Sequence, residues 1–129
     1  MEYRFEFDGS PQAVSVIASG VASVSDFRRL FESLCDQTRF EPGMLILLEM
    51  TEVDMSVIPL SEAAEIGRGL AEFEDRCEGC AMAVVCRDPL TTALTRAGLA
   101  GTPDWINIWV ACSRAEASAW LESQRSLRA

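Results

Sequence analysis

The chain has 129 residues, of which 49% are hydrophobic and 24% are charged, and this composition predicts one globular domain over residues 1–129. The formal net charge is −9 and every cationic side chain is arginine, which argues against nucleic acids and anionic membranes as partners, because both require clustered positive charge. Histidine is absent, which excludes Ser-His-Asp and Cys-His catalysis and histidine-containing zinc sites. No apolar run is long enough for a transmembrane segment, and the first residues do not resemble a secretory signal, so we expect a cytoplasmic protein.

The N-terminal residues predict an antiparallel β-hairpin. Residues 3–7 alternate aromatic and charged side chains, which is typical of a strand with one solvated face. Residues 8–11, Asp-Gly-Ser-Pro, favour a turn, and residues 13–18 are rich in β-branched and small apolar side chains. Two strands joined by a short turn pair most readily as a hairpin.

The first helix has the clearest amphipathic pattern in the chain. Ser23 and Asp26 have the spacing of a capping box, with Asp in place of the usual Glu. Apolar residues then recur at the spacing of one helix face, so this face is predicted to lie in the core. The residues of this face are Phe27, Leu30, Phe31 and Leu34.

Three further helices are predicted, each with its own start signal. Ser61 is expected to cap the second helix, and Asp88, followed by proline, the third. Ser113 and Glu116 form a capping box for the last helix, whose final residues 123–129 are expected to fray. The apolar stripes of these helices are Ala63, Ile66, Leu70 and Phe73; Leu90, Ala93, Leu94 and Ala97; and Ala117, Trp120 and Leu121.

Continuous apolar runs over residues 44–48 and 81–86 predict strands that are covered on both faces, as in parallel sheets. The order is β-β-α-β-α-β-α-β-α, which predicts an α/β fold with a mixed, mostly parallel sheet of about five strands and four helices. Gly67 and Gly69 lower the helix propensity of the second helix but permit close packing on the sheet.

Residues 105–111 are predicted to form the last strand. The two-residue period of a strand would then place Trp105, Asn107 and Trp109 on one face. That face is interpreted as core beneath a helix, with a ligand pocket or partner surface as the alternative. If the strand lies at an edge of the sheet, a homodimer gains support.

The carboxyl ends of parallel strands meet at one edge, where α/β proteins usually bind ligands. Helix N-termini that open there favour anions, and Arg87 would add a cation. The alternative is that the polar residues at this edge only cap helices. The residues expected at this edge are Thr51, Asp54, Ser56, Cys86, Arg87, Asp88, Cys112 and Ser113.

Five cysteines are present, an odd number that gives poor support for a disulfide framework. Cys77 and Cys80 form a C-x-x-C motif that follows a predicted helix and precedes a strand. Redox enzymes place this motif at a helix start, where the helix dipole lowers the thiol pKa. We therefore interpret it as a turn with two thiols, and we expect neither a metal nor a cofactor.

The order of elements, together with four short motifs, resembles the STAS fold of sulfate transporters and anti-sigma-factor antagonists. It is most similar to small stand-alone bacterial proteins like the sporulation anti-sigma-factor antagonist. The resemblance spans essentially the whole chain and implies a protein-binding regulatory module. The motifs are Ala-Ser-Gly at residues 18–20 with Val-Ser-Asp-Phe at 24–27, the apolar strand ending in Glu-Met-Thr at 44–51, Ala-Met-Ala-Val-Val at 81–85, and Glu-Ala-Ser-Ala-Trp-Leu at 116–121.

The family carries an Asp-Ser-Ser/Thr-Gly element, with a phosphorylated serine, where the central loop enters its helix. Residues 55–61 of this chain read Met-Ser-Val-Ile-Pro-Leu-Ser, so the resemblance carries no phosphorylation site over to them. It does point to residues 55–69 as a partner surface. The candidate binding residues are Asp54, Ser56, Pro59, Leu60, Ser61, Arg87, Asp88 and Ser113.

The expected function is non-enzymatic binding of a protein or of a small ligand. The alternative is a carrier of an apolar or lipid-like molecule held between the sheet and a movable helix, because CRAL-TRIO lipid-transfer domains have a similar layout. An enzyme comes third, with Glu49, Glu52 and Asp54 as its clustered carboxylates.

Overall fold

Five strands form one mixed sheet in the structure, a computed structural model that describes residues 1–8 and 13–128. The strands lie in chain order, with β1 antiparallel to β2 and all other neighbours parallel. The predicted hairpin and the mostly parallel sheet are therefore confirmed, and the apolar strand β3 is central. The strands are β1 Glu2–Phe7, β2 Ala13–Val21, β3 Leu45–Asp54, β4 Ala81–Val85 and β5 Asn107–Ala111.

Helical segments connect the parallel strands, and one more follows the last strand. Between β3 and β4, residues 60–77 are helical but interrupted, and we call them the broken segment. Counted as one, the broken segment brings the described helical regions to the four that the sequence predicts. The helices are α1 Val24–Cys35, α2 Ala64–Gly69, α3 Glu74–Cys77, α4 Pro89–Leu99 and α5 Arg114–Arg128, and the 3₁₀ turns Leu60–Glu62 and Leu70–Phe73 flank α2.

The broken segment differs from the regular helix predicted there. Ser61 lies inside the first 3₁₀ turn, which follows Pro59 and has no side-chain cap, so the predicted Ser61 cap is wrong. Gly67 packs against α4 and not on the sheet, since a Cβ at Gly67 would lie 2.2 Å from the carbonyl oxygen of Gly98. Gly69 has no neighbouring atom within 4 Å of its hypothetical Cβ, so only Gly67 serves close packing.

The two faces of the sheet are covered by different helices. Helices α1 and α4 and the broken segment pack on one face, and α5 packs on the other, over β3 to β5. Because both faces of β3 and β4 are covered there, their apolar runs are buried as predicted.

Helix α4 presents a different face to the core from the predicted one. Its buried residues are Thr91, Leu94 and Gly98. Leu90 is 51% exposed and Ala93 is also exposed, so the predicted stripe is wrong at both positions. Gly98 on the buried face of α4 is in close contact with Gly67 of α2, and helical periodicity alone does not contain that contact.

Strand β5 begins at Asn107, later than predicted, because residues 100–106 form turns and irregular backbone. Trp105 therefore packs against the α1 side of the sheet, and its predicted place beside Trp109 is wrong. Trp109 stacks on Trp120 of α5 with ring centroids 5.7 Å apart, and Asn107 donates a 3.0 Å hydrogen bond to Gln124. The core interpretation holds for Trp109. β5 is an edge strand, and the homodimer stays a prediction.

The ends of the predicted elements differ in detail. Of the turn predicted at residues 8–11, all but Asp8 lies outside the described residues. Helix α5 continues to Arg128, where the sequence predicts a frayed tail from residue 123. No helix within residues 1–8 and 13–128 combines the length and hydropathy that crossing a bilayer requires.

Candidate functional site: a groove between α1 and the broken segment

A surface groove of about 640 Å³ separates the first two turns of α1 from residues 57–72. Apolar side chains of Phe31, Ile58 and Ile66 line it, and polar side chains from both walls surround them. Its volume lies in the range of ligand sites, which run from about 300 to 1,000 Å³. We call this feature the groove.

The α1 wall of the groove starts from a complete capping box. The Ser23 hydroxyl accepts a hydrogen bond from the Asp26 backbone N–H, and the Asp26 carboxylate accepts one of 2.8 Å from the Ser23 N–H. The Ser23 backbone donor lowers the pKa of Asp26 to about 2, so the carboxylate stays ionised at neutral pH. This cap fixes where α1 begins and so positions the α1 residues of the groove.

The opposite wall exposes large apolar side chains. Pro59 is extended and lines the groove, and the first 3₁₀ turn follows it. Val57, which also lines the groove, is 59% exposed, and Leu60 is 68% exposed on the adjoining turn. Apolar side chains that adjoin an apolar groove are typical of interaction surfaces, whereas single exposed ones are ordinary.

One ion pair crosses the groove. Both Nε and Nη2 of Arg28 donate to the same oxygen of Glu72, at 2.9 and 2.8 Å. On the broken segment Arg68 pairs with Glu65. Exposed pairs of this kind contribute little stability, typically about 0–1 kcal/mol, so a partner can displace them at low cost.

The candidate binding residues predicted from the sequence are not gathered in one place. Pro59 lines the groove, while Leu60 and Ser61 lie exposed on the turn beside it. Asp54 and Ser56 lie at the carboxyl end of β3, where Asp54 accepts a 2.8 Å hydrogen bond from the Ser56 backbone N–H.

The remaining predicted residues follow β4 and β5. Asp88 caps α4 by accepting a 2.8 Å hydrogen bond from the Thr91 N–H, which lowers the pKa of its carboxyl. Ser113 caps α5 by accepting from the Glu116 N–H at 3.1 Å. Arg87 is exposed beside Asp88. The two caps occupy amide donors that would otherwise face a bound anion.

Two of the three clustered carboxylates, Glu49 and Asp54, have separate partners. Glu49 pairs with Arg114 at 2.8 Å, at the start of α5, whereas Asp54 holds the Ser56 amide. In the part of the chain that the structure describes, no group of three or more Cys, Asp or Glu side chains is arranged to hold a metal ion.

A small apolar cavity lies between the sheet and the helices. Its volume is about 50 Å³, and its walls include Phe27, Met50, Met55 and Leu94. This is the location at which the sequence analysis places an apolar ligand. Since ligand sites usually exceed about 300 Å³, a lipid would fit only if a helix moved away from the sheet.

Sequence reasoning missed the α1 side of the groove. The sequence predicts Phe31 only as a core residue of α1 and assigns no binding role to Arg28. The Arg28–Glu72 pair joins residues 44 positions apart, and no local pattern signals such a contact.

No family model matches the sequence, and no curated protein matches it. In structure the chain is similar to an uncharacterized DUF3478-family protein from Shewanella loihica PV-4, which has a SpoIIAA-like fold. The TM-score is 0.57 at 18% identity, over 93% of this chain and 92% of that one. The chain has a SpoIIAA-like fold. The fold implied by the anti-sigma-factor antagonist resemblance is thereby confirmed, and at this identity the likeness concerns the fold alone.

Proposed function

We propose that the chain is a cytoplasmic, non-catalytic regulatory module that binds a protein partner through the groove and the adjoining residues 57–60. The exposure of Val57 and Leu60 beside the apolar groove carries this proposal. A few side chains that become fully buried on binding supply most of the affinity of a protein interface, and burial of apolar surface is favourable. The SpoIIAA-like fold supports a regulatory role by analogy with its family.

The charge of the groove favours a partner that presents arginine or lysine beside an apolar anchor. Three glutamates and two arginines line the groove, which gives it a formal charge of −1 in a chain of net charge −9. Complementary charge raises the association rate and is screened by salt. The affinity should therefore fall as ionic strength rises. The lining charges are Glu62, Glu65, Glu72, Arg28 and Arg68.

Two observations support binding over catalysis. The chain lacks histidine, the side chain that most often acts as general acid or base near neutral pH. In the groove itself, the hydrogen bond to Glu72 raises the pKa of Arg28, so this guanidinium does not release a proton near neutral pH.

The test compares three immobilised proteins: wild type, Leu60→Glu and Leu127→Glu. Leu127 is the matched control, since it is 81% exposed on α5, which packs on the opposite face of the sheet. We expect wild type and Leu127→Glu to retain the same protein from a bacterial lysate, and Leu60→Glu to lose it. With that protein purified, calorimetry should show Leu60→Glu binding at least roughly tenfold more weakly.

Equal retention by all three proteins would show that residues 57–60 are not the interface. An affinity that is the same at low and high salt would contradict the proposed charge of the partner. Circular dichroism of each variant checks that the lost binding is not lost folding.

A second candidate function is binding of an apolar or lipid-like molecule, and the cavity beneath the helices favours it. Its walls are almost entirely apolar, as such a ligand requires. Native mass spectrometry of the purified protein tests it, because a bound lipid adds its mass to the intact chain. A spectrum containing only the mass of the chain would count against this function.

A further inference from the structure

Three buried cysteines meet where α1 and the broken segment end. Cys35 is the last residue of α1, Cys77 is the last residue of α3, and Cys80 precedes β4. The Cys80 N–H donates to the Cys77 carbonyl at 3.0 Å, so the C-x-x-C motif forms the predicted turn. The partner that the sequence does not reveal is Cys35, whose Sγ lies 3.3 Å from that of Cys77.

We propose that Cys35 and Cys77 form an intrachain disulfide when the protein meets a hydroperoxide. A disulfide bond is about 2.0 Å long, so the two sulfurs must approach by about 1.3 Å. Both residues end helices that turns follow, at Asp36 and at Glu78, and helix ends adjust more easily than helix centres.

The reaction balances with the peroxide as the two-electron oxidant. The Cys35 thiolate attacks one peroxide oxygen, the O–O bond breaks, and Cys35 becomes a sulfenic acid while hydroxide leaves. The Cys77 thiol then attacks the Cys35 sulfur, the S–S bond forms, and the S–O bond breaks. The first hydroxide takes up the proton that Cys35 released on ionising, and the second takes up the proton of Cys77, so two thiols and one hydrogen peroxide give one disulfide and two waters.

The surroundings assign different roles to the two thiols. A hydrogen bond from Cys77 lowers the pKa of Cys35, and the positive charge of Arg76 lowers it further. The same hydrogen bond raises the pKa of Cys77, which therefore keeps its proton and donates. Arg76 is held near the pair by a 2.8 Å ion pair with Asp36. Cys35 is thus the thiol that attacks, and Cys77 resolves the sulfenic acid.

The bond would tie together the ends of the two elements that wall the groove. Helix α1 supplies one wall and the broken segment the other, and both run to the thiol pair. The disulfide would also restrict the conformational freedom of the unfolded chain. The oxidised protein should therefore melt at a higher temperature than the reduced one. This inference stands whether or not the groove binds a protein.

Peptide mapping tests the bond in a protein carrying Cys112→Ser, which removes the exposed thiol. The folded protein is treated with hydrogen peroxide, the remaining thiols are alkylated after denaturation, and trypsin cleaves after arginine, since the chain contains no lysine. Cys35 then lies in the peptide of residues 30–39, and Cys77 in that of residues 77–87. We expect these two peptides joined, with the loss of two hydrogens, and separated again by dithiothreitol.

Further variants identify the sulfurs, because the peptide of residues 77–87 also contains Cys80 and Cys86. Cys80→Ser and Cys86→Ser should keep the joined peptides, and Cys77→Ser should lose them. Survival of the joined peptides in Cys77→Ser would overturn the assignment. Absence of joined peptides after oxidation of the Cys112→Ser protein, or a bond confined to residues 77–87, would overturn the proposal, and this outcome requires only the replacement of one exposed side chain.

Discussion

Helix α5 and the broken segment are both predicted from the sequence as amphipathic helices, yet only α5 is regular. The 15 residues Arg114–Arg128 form one helix, whose start is fixed by the Ser113 cap. Residues 60–77 form two short helices and two 3₁₀ turns, none with a side-chain cap. A helix stays regular where its local signals and its packing agree, and it breaks where packing demands something else.

The broken segment packs closely against α4. Gly67 lies so close to the carbonyl oxygen of Gly98 that only a residue without Cβ fits. This contact holds α2 against α4, and ahead of α2 the side chains of Val57, Pro59 and Leu60 are exposed at the groove. Helix α5 packs on the other face of the sheet, away from this contact between α2 and α4. The regular helix α5 covers one face of the sheet, whereas the broken segment forms one wall of the groove.

The largest effect in this comparison is expected from Leu121→Ala in α5. Leu121 is buried against β3 and β4, so its truncation leaves a cavity and should lower the free energy of unfolding by about 2–4 kcal/mol. Leu127→Ala on the same helix is the control, because this side chain is exposed, and it should change stability by less than about 0.5 kcal/mol. Urea denaturation measures the free energy of unfolding of both variants. Equal losses would show that Leu121 does not stabilise the packing of α5 on the sheet.

A smaller loss is expected from Gly67→Ala in the broken segment. The new Cβ would collide with backbone atoms of Gly98 and Thr102, and such overpacking costs about 1–3 kcal/mol. Gly69→Ala adds the same methyl group into open space and should be neutral or stabilising by up to about 1 kcal/mol. The midpoint of thermal unfolding should therefore fall for Gly67→Ala and should stay the same or rise for Gly69→Ala. If Gly67→Ala were as stable as the wild type, the close contact between Gly67 and Gly98 would not explain why the segment is irregular.

The smallest effects separate the two predicted caps. Ser113→Ala removes the acceptor for the Glu116 N–H and should cost about 1 kcal/mol. Ser61→Ala removes an exposed hydroxyl that caps nothing and should change the free energy of unfolding by less than about 0.5 kcal/mol. Similar losses for both variants would mean that Ser61 does cap the broken segment in solution.

Much of the fold follows from the sequence because its signals are local. The apolar run of β3 predicts a strand buried on both faces, and the alternation of strands and helices predicts a mostly parallel sheet. The caps at Ser23, Asp88 and Ser113 are confirmed because a cap needs only residues within one helical turn.

Much less of the candidate site than of the fold could be predicted from the sequence. Of the candidate binding residues, Pro59 lines the groove, whereas α1, which forms the other wall, is predicted only as a helix packed on the core. Leu90 was assigned to the core and is exposed, and Trp105 was assigned to the wrong face of the sheet. Each error concerns the rotation or the end of an element, which neighbours in space determine.

By itself, then, the sequence determined the presence of the strands, the starts of α1, α4 and α5, and the order in which strands and helices alternate. Hydrophobic period and capping act over a few residues, and those residues are adjacent in the chain. Only the tertiary structure decided the contact of Gly67 with Gly98, the Arg28–Glu72 pair across the groove and the approach of Cys35 to Cys77. Each depends on which segments pack together, because residues 31 to 44 positions apart meet only when the sheet brings their helices to the same face.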